Sequence, residues 1–143
     1  MFNDPTDPDT QALAQHHDAG THDQIPTDKA AAAVEAFHQQ ADPGLVQQVT
    51  DQHYENMTPE QLKAAAAAFQ QKLQGVAGSS PEAAQLAAID PNTATPQQVA
   101  AMHRFSIKEH PELARDVLVG AGVVGVGALA ALAARHYLRS RGS

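Results

Sequence analysis

A chain of 143 residues with a net charge of −7 and no cysteine has room for one modest domain. The missing cysteines exclude a disulfide framework, a thiolate metal site and a thiol nucleophile. All sixteen acids but only six of the nine Lys and Arg lie in residues 1–116. Such an acidic body argues against a nucleic-acid partner, whose phosphates need clustered Lys and Arg.

The first ten residues, MFNDPTDPDT, lack the basic start and apolar core of a signal peptide. Residues 1–28 carry six Asp and no Lys or Arg. Asp4-Pro5 and Asp7-Pro8 punctuate a run of Asp, Thr, Gln and His that has little apolar surface to offset its ordering entropy. Residues 1–26 are therefore expected to form a disordered acidic tail.

Residues 27–110 read as a small helical domain. Thr27 is placed to cap a helix running to Gln40, with Val34 and Phe37 on one face. Asp42-Pro43 opens the next, because Asp caps free amides and Pro tolerates the first helical position. Val46, Val49, His53 and Met57 line its face. Thr58-Pro59-Glu60-Gln61 is a capping box, and the following helix carries Leu62, Ala66, Phe69 and Leu73 at helical spacing. Gly75 is expected to end it in a left-handed turn. Ser80-Pro81 starts a shorter helix through Leu86 and Ile89, and Asp90-Pro91-Asn92 forms a turn. Thr95-Pro96-Gln97-Gln98 opens a last helix, with Val99, Met102 and Ser106 on one side. Its start repeats that of Thr58 after 37 residues, a period in the range of helical repeats, although the shared physics of helix starting also accounts for it. No stretch alternates as a half-buried strand would, and much of each apolar face is Ala. The fold class is thus all-α, a small loose bundle.

Val117 to Ala134, VLVGAGVVGVGALAALAA, has eighteen residues without a polar side chain. As a helix it would extend about 27 Å, close to the hydrocarbon thickness of a bilayer. Residues 111–139 are therefore expected to hold one C-terminal transmembrane helix, followed by a short tail at 140–143. Arg135, Tyr137, Arg139 and Arg141 stand where membrane-interface side chains would sit. Ala121 with Gly125, and Gly127 with Ala131, are small residues four apart that favour close helix–helix packing in lipid. Gly120-Ala121-Gly122-Val123-Val124-Gly125 spells GxGxxG, but only eighteen residues follow and none is acidic, so no βαβ unit can form around it.

Catalytic signals are weak. His16, His17 and His22, with Asp18 and Asp23, form a cluster able to attract a divalent metal weakly. His103, Glu109 and His110 do not share the i, i+4 geometry of a metalloprotease helix. Ser79, Ser80 and Thr95 read as caps or loop residues. No cofactor and no catalytic set is assigned.

The segment Asp116 to Arg139 resembles the end of bacterial tail-anchored glycine-zipper proteins, which close a Gly-rich terminal helix with Arg. That resemblance implies a single-pass membrane protein with its N-terminal domain in the cytoplasm, and for some members a stress-related role. The reading that follows is a membrane-tethered, non-enzymatic adapter or small accessory subunit. Its partners would be the lipid bilayer, further copies through the transmembrane helix, and a protein that meets the helical domain. A pore-forming or membrane-perturbing protein that oligomerises through the Gly-rich helix is the first alternative. A soluble helical binding protein, with the apolar run as its core, is the second.

Overall fold

The computed structural model describes residues 8–21, 24–119 and 125–142. Among these it is all-α, with α1 (Pro8–Ala19), α2 (Thr27–Gln40), α3 (Pro43–Glu55), α4 (Pro59–Gln74), α5 (Pro81–Ala87), α6 (Pro96–Glu109), α7 (Pro111–Val119) and α8 (Val126–Gly142), and a 3-10 turn at Ala77–Ser79. The chain divides into two compact units, one of residues 1–49 and 125–143, the other of residues 50–124, so the boundary falls inside α3.

In the first unit α8 is the central element, with α1 and α2 packed on it. α2 contributes Ala30, Ala31, Ala33, Val34 and Phe37, and α1 contributes Thr10, Leu13 and Ala14, all buried. Leu129, Ala130, Ala131, Ala133 and Ala134 of α8 are fully buried. Ala-rich faces let helix backbones come close, and close packing recovers dispersion contacts that a small side chain cannot supply by area alone.

In the second unit α4 and α6 pack on each other, and each also touches α5 and α7. Local chemistry positions these helices. Thr58 Oγ1 accepts from Gln61 N at 3.2 Å, and Gln61 Oε1 accepts from Thr58 N at 3.0 Å. Thr95 and Gln98 repeat the arrangement at 3.1 and 2.8 Å. Ser80 Oγ caps α5 by accepting from Ala83 N at 3.1 Å. Asp42 Oδ1 accepts from Gly44 N, and Asp90 Oδ1 accepts from Asn92 N, both at 2.9 Å. These bonds satisfy amides that have no partner within their own helix or turn. The interior is also more closed than a loose bundle: Tyr54, Tyr137, Phe37, Phe69 and Leu73 are all under 2% exposed.

The structure corrects several expectations. The largest concerns the membrane. No helix among the described residues is long and apolar enough to cross one. The apolar run is not continuous: α7 ends at Val119, and Gly125, with φ of 65°, starts α8 and accepts its first backbone bond from Leu129 N. A positive φ is incompatible with an uninterrupted right-handed helix. Val117 and Leu118 are buried in the second unit, whereas Leu129 to Ala134 are buried in the first. The apolar stretch of α8 from Val126 to Ala134 is about 14 Å long, half of what a bilayer needs. The single-pass topology, the cytoplasmic head on a membrane stem, the bilayer as partner, and assembly or pore formation through a transmembrane helix are all withdrawn with it.

Smaller differences follow from local geometry. Residues 8–19, expected to be disordered, form α1, because Leu13 and Ala14 find a surface on α8 that composition cannot reveal. α2 begins at Thr27 itself, with Pro26 at the cap position and no side-chain cap bond. Gly75 is right-handed, with φ of −68° and ψ of −18°, because the chain turns on into the 3-10 turn instead of reversing.

Candidate functional site

A polar arrangement in the second unit lies between the last turns of α3 and residues 97–104 of α6. Tyr54 OH and His103 Nδ1 are 2.7 Å apart and buried. Burial pushes the Tyr54 phenol well above its ordinary range, so it stays protonated. We assign it as the donor to His103 Nδ1. Phe69 of α4 meets the His103 ring edge-on at a centroid distance of 5.7 Å, and His53 meets Tyr54 at 5.1 Å. Beside this pair, Arg104 Nη1 donates to Thr50 Oγ1 at 2.6 Å and to Asp51 Oδ1 at 3.0 Å. Towards solvent, Gln97 Nε2 donates to Glu55 Oε1 at 3.0 Å. As the α6 number rises from 97 to 104, its α3 partner falls from 55 to 50. The two segments therefore run antiparallel and are joined by polar links over about two helical turns.

The seam ties α3 to α6 through these polar links. Tyr54 and His103 are 0% exposed, so a reacting group cannot reach the imidazole as the seam stands. Replacing Tyr54 with Phe keeps the ring and removes the donor, leaving a desolvated imidazole nitrogen. The expected result is about 1–3 kcal/mol lower stability in urea unfolding, with the helical CD spectrum unchanged.

Ser79 and His110 form the one described arrangement that looks like a nucleophile and its base, with Oγ and Nε2 at 3.3 Å on the surface. The proton runs the wrong way. Ser79 Oγ donates to Val76 O at 2.7 Å, so it receives from His110 rather than yielding to it. A general base must accept the hydroxyl proton.

In the first unit Arg135 is committed to α1. Its Nε donates to Asp18 Oδ1 at 3.1 Å and its Nη2 to Ala14 O at 3.4 Å, and Nη2 also pairs with Asp18 Oδ2. The acidic N-terminal segment thus supplies the anion for a cation expected at lipid headgroups. Tyr137 is buried at 1% exposure, and Arg139 is exposed. Gly125 opens α8, Gly127 is half-buried in its first turn, and Ala131 is buried. Ala121, His22, Asp23 and the Arg141 side chain, like the first five residues of the GxGxxG run, 120–124, lie outside the described residues. His16 Nδ1 is 2.8 Å from Thr21 Oγ1. Among the described residues no three His, Asp or Glu come together as a metal set.

His136 of α8 is held below its ordinary value of 6.5 by partial burial, then by Arg139 and His17. The unfolded chain takes up this proton first. Its contribution to stability is therefore complete above about pH 6.5 and is lost as pH falls through the lower folded value. Urea midpoints at pH 7.5 and 5.5 will show the decline, and His136→Gln will make it shallower.

The sequence places His53 on a helix face and gives His103 no metalloprotease spacing, and no motif singles out Tyr54, Arg104 or Asp51. The available signal was position: Thr50, His53 and Tyr54 extend the Val46–Val49 stripe at helical spacing, and His103 adjoins Met102 on the buried side of α6. No family model matches the chain, and no curated protein or solved structure is similar to it. The resemblance to tail-anchored glycine-zipper proteins is accordingly withdrawn, both for want of a match and because the helix that carried it is divided at Gly125.

Proposed function

We propose that this protein is a non-enzymatic helical binding protein that works by helix–helix association. The observation that carries the reading is the use of its polar groups. Tyr54, His103, Arg104 and Asp51 are spent on one another across two helices, and the Ser79 proton is spent on a backbone carbonyl. Such groups specify how helices dock; a catalytic group must be reachable and in the correct protonation state. Among the described residues Val119 is the one large apolar side chain left exposed, so a partner would meet a surface rich in Ala, Gln and acids. The test places a photo-crosslinking residue at Gln15, Gln71 or Gln98 of the full chain. Capture of one defined protein at one position and not at the others supports the reading. Turnover of an ester or amide substrate that disappears in both Ser79→Ala and His110→Ala would sink it.

A further inference from the structure

We draw no further inference here: the strongest candidate, the side-chain cluster of His53, Tyr54 and His103 buried between α3 and α6 and considered as an acid-sensitive joint, belongs to the polar seam already described, and nothing in the structure couples protonation of either imidazole to a movement of the helices.

Discussion

Replacing Leu129 with Asp is expected to unfold the first unit. Leu129 is fully buried on α8, the helix on which both α1 and α2 pack. Removing the side chain forfeits about 2–3 kcal/mol of apolar burial. The carboxylate must then either lose its hydration or be neutralised, which adds several kcal/mol. The total, on the order of 5 kcal/mol or more, is comparable with the whole stability of a small domain. Hydrogen exchange will show protection lost across α1, α2 and α8 together. Leu129→Met conserves volume and is expected to cost under about 1.5 kcal/mol. Near-native protection in the Asp variant would mean that α8 is not the packing centre of this unit.

The helix starts were legible because their causes are local. Thr58 and Thr95 meet their Gln partners three residues away, and the Asp42 and Ser80 caps are equally short-range. The buried stripe of α4 was legible for a related reason, since helical spacing alone brings Ala66, Phe69 and Leu73 to one face. What misled was a property summed over a window. Hydropathy adds Val117 to Ala134 into one apolar length and does not register that Gly125 takes a positive φ, which ends any continuous helix. Once the run is divided, each part is an ordinary core segment, and small residues that suit packing in lipid suit packing on α1 and α2 equally well. The first α-helix was missed for the opposite reason. Its composition is that of a segment unable to fold alone, and what orders it is the distant face of α8, on which Leu13 and Ala14 pack and where Arg135, 117 residues away, meets Asp18. The polar seam was out of reach in the same way: Tyr54 and His103 are separated by 49 residues, and neither carries a local motif that announces the other.

The second large effect is expected from Phe69→Ala. Phe69 is fully buried between α4 and its neighbours, and truncating a buried Phe costs about 3–5 kcal/mol through lost transfer energy and the cavity that remains. Its position beside His103 gives the substitution a second consequence. In the intact unit the ring closes one side of an imidazole whose Nδ1 is satisfied by Tyr54. A cavity there has a polar wall and is large enough for water to enter and hydrogen-bond. Tyr54→Phe should then cost less in the Phe69→Ala background than in the unaltered chain, because water can stand in for the missing phenol. A double-mutant cycle in urea is expected to give a coupling of about 0.5–2 kcal/mol with that sign. Simple additivity would mean that Phe69 packs against the seam without sheltering it. Coupling of the opposite sign would mean that the phenol, once the ring is gone, becomes the main element holding α3 to α6.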